Sequence, residues 1–312
     1  MTGARRRAAA GALLGLLLAA AGCQAGGSTG PTGPATPAAS ATETGGAPGG
    51  GTGAPAPSRP PGSAPPRHVV VVFFENKPAA RVVGNPDAPY LTALAGRSAA
   101  YTNAHGVTHP SQPNYLALFS GSTQGVRSDR CPLRLGDRPN LARQLLDAGH
   151  TFTGYAEGLP APGFTGCVSG RYAAKHAPWV DFANLPPELG QPYTAWPADL
   201  DRLPTVAFLS PGLCNDMHDC SVATGDRWAR ERLAPYVEWA QIHDSLLVVT
   251  FDEDDGHAGN QILTLVAGAG VRPGRYAERV DHYSVLRTIE DLYGLPRLGA
   301  AATAPALPGV RG

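Results

Sequence analysis

Seven consecutive residues, His68-Val69-Val70-Val71-Val72-Phe73-Phe74, constrain this chain more than any other stretch of it. After the histidine the run is wholly β-branched or aromatic. Such a run predicts a strand buried on both faces, and strands covered on both sides belong to parallel sheets flanked by helices. Leu246-Leu247-Val248-Val249-Thr250-Phe251 predicts a second strand of this kind. Gln261 to Val266 is expected as a third, and Thr205 to Leu209 as a shorter one. Helical stretches fall between them: Tyr90 to Ser98, Tyr115 to Phe119, Asn140 to Ala148, Asp226 to His243 and Tyr283 to Tyr293. Gly294 and Pro296 stand just past the last of these, where helices stop. Strands alternating with helices imply an α/β domain with a mainly parallel sheet.

That domain does not need the whole chain. From Gln24 to Pro66 only Gln24, Glu43 and Arg59 are anything but Gly, Pro, Ala, Ser or Thr. Residues 24–66 cannot bury apolar surface and are expected to form a disordered tether. Before them, Arg5-Arg6-Arg7 precede an apolar run from Ala8 to Ala21 that ends in Ala21-Gly22-Cys23. A charged start, a short apolar middle and a small-residue end are the parts of an export signal. The Cys at its end resembles the lipobox of bacterial lipoproteins, with Ala20 where that pattern prefers Leu. The organisation expected is therefore a signal over residues 1–23, a tether over 24–66 and a catalytic domain over 67–312. The resemblance implies a lipid on Cys23 and a protein anchored to the outer face of the cell membrane, or secreted.

Residues 67–312 carry 21 basic and 24 acidic side chains, so the domain has no basic footprint for nucleic acid. Beyond Cys23 four cysteines remain, an even number suited to an oxidising compartment. Three pairings are open; the five residues between Cys214 and Cys220 point to a local loop, leaving Cys131 with Cys167. No CxxC pair suggests a zinc cluster.

Chemistry is expected where the strands end. Glu75-Asn76 follows the first strand, and Asp252-Glu253-Asp254-Asp255 follows the second. In open α/β sheets ligands sit beyond the carboxyl ends of the strands. Carboxylate and amide oxygens suit a hard divalent cation, although acidic residues after a strand are also common turn formers. A third element, Thr108-His109-Pro110-Ser111-Gln112-Pro113-Asn114-Tyr115, leads into an apolar helical stretch. Pro113 suits a first helical turn and places Ser111 at or just before the helix N-terminus, where unpaired N–H groups attract anions. Ser111 is then either a plain N-cap or, beside a cation, a nucleophile.

Taken in order, Glu75-Asn76, His109 to Tyr115, Lys175-His176-x-Pro178, Asn215-Asp216-Met217-His218-Asp219 and Thr250-Phe251-Asp252-Glu253 resemble the bacterial phosphoesterase family. That family holds acid phosphatases and phospholipases C within the alkaline-phosphatase-like superfamily. The resemblance spans roughly His68 to Pro296 and includes the helix that begins Tyr283-Ser284-Val285. It implies an alkaline-phosphatase-like three-layer α/β sandwich. Glu75, Asn76, Asp252 and Glu253 would hold one divalent cation (Ca, Mg or Mn, with Zn acceptable), joined by the Ser111 hydroxyl. Ser111 would attack phosphorus and form a phosphoserine intermediate. His176 and His218 would hydrogen-bond phosphate oxygens, one of them protonating the leaving alkoxide. His109 is a further catalytic candidate near Ser111, with His105 and His282 behind it. Lys175 is either a phosphate ligand or a surface residue. His257 reads as a loop residue, and His150 and His243 as helix-end residues.

The function expected is an exported, metal-dependent phosphomonoesterase, resembling the compact acid phosphatases. A phospholipase C-type phosphodiesterase and a lipoprotein that binds a phosphate-bearing ligand without turnover are the alternatives. Beyond the phosphate-ester substrate, the expected contact is with a membrane through Cys23, and no obligate protein partner is evident.

Overall fold

The computed structural model describes residues 64–310, so the signal and nearly all of the tether expected from the sequence lie outside the described residues. Twelve strands occur among these residues: β1 (Val69–Phe74), β2 (Ala99–Tyr101), β3 (Ala104–His105), β4 (Phe152–Ala156), β5 (Val168–Ser169), β6 (Tyr172–Ala173), β7 (Gly190–Pro192), β8 (Val206–Ser210), β9 (Leu246–Phe251), β10 (Thr264–Gly268), β11 (Gly274–Tyr276) and β12 (Val280–Asp281). The helices are α1 (Pro89–Gly96), α2 (Ser111–Ser120), α3 (Leu141–Asp147), α4 (Val222–Ile242) and α5 (His282–Tyr293). Eight strands form the central sheet in the order β11-β2-β10-β9-β1-β8-β4-β7. β10 runs against both its neighbours, and every other pairing in this sheet is parallel.

All six residues of β1 and all six of β9 are buried, as their apolar runs require. Successive side chains on a strand point to opposite faces. Phe73 stacks on Tyr115 of α2 at 4.3 Å and lies 5.8 Å from the His282 ring of α5. Phe74, on the other face, meets the edge of Trp228 in α4 at 5.9 Å. Helices therefore cover both faces of the sheet, giving the three-layer α/β architecture.

Local chemistry sets the element ends. Ser221 caps α4 by accepting from the Thr224 N–H, so this helix begins four residues before the expected Asp226. Asp281 and Ser284 form a reciprocal capping box at the start of α5. The same helix ends on Gly294 in the left-handed region, φ +65°, a backbone state that costs glycine least.

The register is what positions the site. β1 and β9 pair in parallel from Val69↔Leu246 to Phe74↔Phe251, so Glu75 and Asp252 leave the sheet side by side. On the other flank β8 pairs with Val69 to Val72, and the loop after it returns so that the Asp216 carbonyl accepts the Glu75 N–H at 2.8 Å. The third expected strand is displaced: β10 covers Thr264–Gly268 rather than Gln261 to Val266.

Candidate active site

Glu75 has no exposed surface, and its two oxygens are engaged from α2. Oε2 accepts from the Ser111 hydroxyl at 3.0 Å, and Oε1 accepts from the Tyr115 hydroxyl. Ser111 is the first residue of α2 and is itself buried, so its hydroxyl sits among the N–H groups that open the helix. The same hydroxyl lies 3.4 Å from Glu253 Oε1. Asn114 fixes the approach to this turn. Its side chain accepts from Val107 and Thr108 N–H and donates to the Thr108 and Pro110 carbonyls.

Around Glu75 stand two further buried carboxylates, Asp216 and Asp252, and a buried imidazole, His176. His176 Nε2 is 3.3 Å from Glu75 Oε1, and its Nδ1 is 3.4 Å from Asp216 Oδ2. The ring stacks flat on Tyr115, with centroids 5.1 Å apart. One ligand atom each from Glu75, His176 and Asp216 fall within 4.8 Å of one another. Asp252 Oδ1 accepts the Asn76 N–H at 3.0 Å.

The electrostatics of this cluster are unfavourable as they stand. Burial pushes the Glu75 carboxyl well above the ordinary range, and the charges of Asp252 and Asp216 push it further. Asp216 is raised to about 7, chiefly by burial, with partial relief from the His218 N–H. Burial first, then Asp252, raises Glu253 to about 8. Burial also brings His176 down to about 3, so the imidazole is neutral at physiological pH. Asp216 Oδ2, Asp252 Oδ2 and His176 Nε2 are buried without hydrogen-bond partners. Converging acidic oxygens and a neutral imidazole nitrogen, left unsatisfied inside the protein, form a donor set that fits a divalent cation.

Other expected residues fall around this core. Asn76 occupies the left-handed region at φ +53°, and its residue lines a neighbouring cleft of about 420 Å³ with Lys77, Arg81 and Asp255. His109 is half exposed at the rim, with Nδ1 2.9 Å from Glu253 Oε2 and Nε2 3.3 Å from Asp254 Oδ1. His218 Nδ1 lies 2.8 Å from Asp219 Oδ1, and its ring centre is 5.9 Å from that of His176. His105 and His282 are held elsewhere. His105 bonds Gly259 O and Asn103 Oδ1, and the fully buried His282 contacts the Phe251 carbonyl. Asp254 is a turn former, accepting from the N–H groups of Gly256, Ala258 and Asn260.

Two residues enter the cluster that the ligand set read from the sequence omitted. From the sequence, Asp216 has no role beyond its place in the Asn215-Asp216-Met217-His218-Asp219 motif, and His176 is expected on phosphate. Tyr115 and Asp129 also gain partners there, Asp129 through Lys175 and the Gln112 N–H. Both disulfides brace this edge of the sheet. Cys131–Cys167 ties the Asp129 segment to the hairpin that leads to Lys175 and His176, and Cys214–Cys220 closes the loop carrying Asp216 and His218.

Residues 84–296 match the profile of the Phosphoesterase family. The chain belongs to the phosphoesterase family, whose members hydrolyse phosphoric ester bonds. It is 50% identical over 247 residues to a phosphatidylinositol-3-phosphatase of Mycobacterium tuberculosis, covering 78% of this chain and 83% of that protein. An acid phosphatase of Aspergillus fumigatus is 31% identical over 227 residues, covering 66% of this chain and 51% of its own length. The chain thus spans about half of that fungal enzyme. Among solved structures, a Vibrio parahaemolyticus protein of the alkaline phosphatase superfamily superposes with a TM-score of 0.53 at 13% identity, covering 80% of this chain and 72% of its own. A phosphonate monoester hydrolase from Silicibacter pomeroyi gives 0.51 at 14% identity, with coverage of 80% and 77%. These two likenesses concern the fold alone, and it is the alkaline-phosphatase-like fold.

Proposed function

We propose that this phosphoesterase is an exported, cation-dependent phosphomonoesterase that works through a phosphoserine at Ser111. The observation that carries the reading is the Ser111 hydroxyl, held at a helix N-terminus against Glu75 and Glu253, beside three buried ligand atoms that make no hydrogen bond. Glu75, His176, Asp216 and Asp252 would hold the cation, with Glu253 and Asn76 at its margin. Bound there, a divalent cation supplies positive charge that lowers the pKa of the serine hydroxyl and steadies charge on the phosphoryl oxygens.

In this reading the Ser111 oxygen attacks phosphorus as its proton passes to Glu75 Oε2, the carboxylate oxygen it already contacts. The bond from phosphorus to the substrate alcohol breaks, and His218 gives a proton to the leaving oxygen. Water then attacks the phosphoserine, returns a proton to His218 and releases phosphate, while Ser111 recovers its own proton from Glu75. His109 orients Glu253 from the rim. His176, neutral and enclosed by carboxylates, serves the cation rather than the phosphate. The 50% identical relative is a phosphatase of a lipid headgroup, which makes a phosphorylated inositol lipid the first natural substrate class to try. The two disulfides and the leader read from the sequence support action outside the reducing cytosol.

The test compares p-nitrophenyl phosphate with bis-p-nitrophenyl phosphate, using the full chain with and without chelator and beside Ser111→Ala. Monoester turnover lost both to chelator and to the substitution is expected. Turnover that survives Ser111→Ala would refute the nucleophile, and preference for the diester would move the chain to the phospholipase C-type reading.

A further inference from the structure

Arginine is this chain's ordinary cation, and lysine occurs only as Lys77 and Lys175. Both lie in the field of Glu75 and Asp252, and they are used differently. Lys77 donates to two backbone carbonyls, Asn76 O at 3.2 Å and Met217 O at 3.0 Å, and braces the chain on either side of the cluster. Lys175 contacts only side chains in this way. Its ammonium donates to Asp129 Oδ2 at 2.7 Å and approaches His218 Nε2 at 3.4 Å.

Asp129 does not depend on Lys175 for its place. Its other oxygen accepts the Gln112 N–H at 2.9 Å, one residue past Ser111 in the first turn of α2. Two residues further on, Cys131 is bonded to Cys167, at the foot of the hairpin that carries Lys175. Nor is Lys175 locked. An ammonium has three donors on a rotatable stem. An ion pair with a partly open face is weak, so the exchange of one anion for another costs little. Here the side chains of Lys175 and Asp129 are 21% and 26% exposed.

We propose that Lys175 is a substrate-binding residue selective for the doubly charged phosphoryl group of a monoester. At rest it lies on Asp129 and against His218, and on binding it turns its ammonium to the phosphoryl oxygens. The selectivity follows from charge. A phosphate monoester has a second pKa near 6 and carries close to two negative charges at neutral pH, whereas a diester carries one. One more fixed cation favours the first over the second. This inference rests on the monoesterase reading above.

The experiment measures kcat/KM of the full chain, Lys175→Ala, Lys175→Met and Asp129→Asn on the two nitrophenyl esters. It is paired with calorimetric titration of inorganic phosphate into each protein. Loss of a charge-assisted contact is expected to lower monoester kcat/KM by about 10- to 100-fold. Diester turnover should fall by less than about threefold, by the same charge argument, and phosphate binding should weaken in parallel. Lys175→Met keeps the bulk of the stem and guards against a folding loss, checked by the melting curve. Asp129→Asn should keep its preference for the monoester. If Lys175 only braces the Asp129 segment, the Lys175 and Asp129 variants will lose both esters alike and bind phosphate as the parent does, and the inference falls. If the parent itself prefers the diester, the monoesterase reading falls and takes the inference with it. If the parent hydrolyses neither ester, only the enzymatic reading is lost, and the phosphate titration still decides the role of Lys175.

Discussion

Replacing Asp216 by Asn should stabilise the chelated protein and destroy its response to divalent cations. The substitution keeps shape and one hydrogen bond, because Asp216 Oδ1 accepts the His218 N–H at 2.8 Å while Oδ2 makes no hydrogen bond and lies 3.4 Å from His176 Nδ1. What it removes is charge. The ligand atoms of Glu75 and Asp216 lie within 4.8 Å of each other. Two full charges at that separation would repel by roughly 3 kcal/mol at an effective dielectric of about 20, a ceiling because the Glu75 carboxyl is itself pushed well above the ordinary range. Protonation relieves part of this near neutrality, since Asp216 is raised to about 7, so the gain should grow from pH 7 to pH 8.5. In a domain of this size 1 kcal/mol moves the melting temperature by about 2–4 °C, which puts the rise in chelator at no more than about 12 °C. In excess Ca, Mg or Mn the order should invert, with the parent gaining and Asp216→Asn gaining little, because binding to the folded state alone adds stability. Melting curves in chelator and in each cation measure both effects. A variant that melts below the parent in chelator, or responds to cations as strongly, would refute the account of the cluster as a cation site.

Removing the Cys131–Cys167 bond by paired Ser substitution should cost about 3–4 kcal/mol through the loop it closes, and should lower monoester turnover because Asp129 and Lys175 lose their common anchor. Melting and kcat/KM measured together will show whether activity falls at temperatures where the variant is still folded. Glu290, buried in α5, is raised to about 8, chiefly by burial. Its folded pKa exceeds the unfolded one, so the native state holds a proton that the unfolded chain has released. Stability is therefore expected to fall as pH rises from about 4.5 to about 8, and Glu290→Gln should flatten that decline, read from denaturant midpoints across the range. An unchanged slope would count against it. Asn140 caps α3 by accepting the Arg143 N–H at 2.8 Å, so Asn140→Ala should cost about 1 kcal/mol in melting experiments and leave kcat/KM unchanged.

Much of this was legible in the chain, for physical reasons that differ from element to element. β1 and β9 announce themselves because a strand covered on both faces needs no polar position. The start of α2 at Ser111 follows from proline chemistry, and the end of α5 from a glycine. Short strands gave no such signal. β2 is Ala-Ala-Tyr and β7 is Gly-Gln-Pro, sequences without period that pair only because the fold lays them beside longer strands, β10 and β4. β4 is interrupted by Gly154, which reads as a breaker. In the fold it lies beneath Trp179, where an added Cβ would come within 2.3 Å of the indole. The direction of β10 was not legible either, since alternation of side chains is the same for parallel and antiparallel strands. Within the site, Glu75, Asp252 and Glu253 were visible because each follows a strand. Asp216 was not, because it reaches the cluster through a loop whose backbone turns at Met217 into the left-handed region, φ +77°. No local spacing reports such a path.

The pairing of Phe74 with Phe251 has a consequence for how this protein can change. The sheet acts as a ruler graduated in single residues. Slipping β9 by one step would turn each of its side chains toward the opposite layer of helices and carry Asp252 away from Glu75. Insertions within the strands are thus closed to variation, while the loops beyond the last graduation are free to lengthen, shrink or alter their charge. Related chains built on this ruler can differ widely in those loops and still bring the same two carboxylates together at the sheet edge.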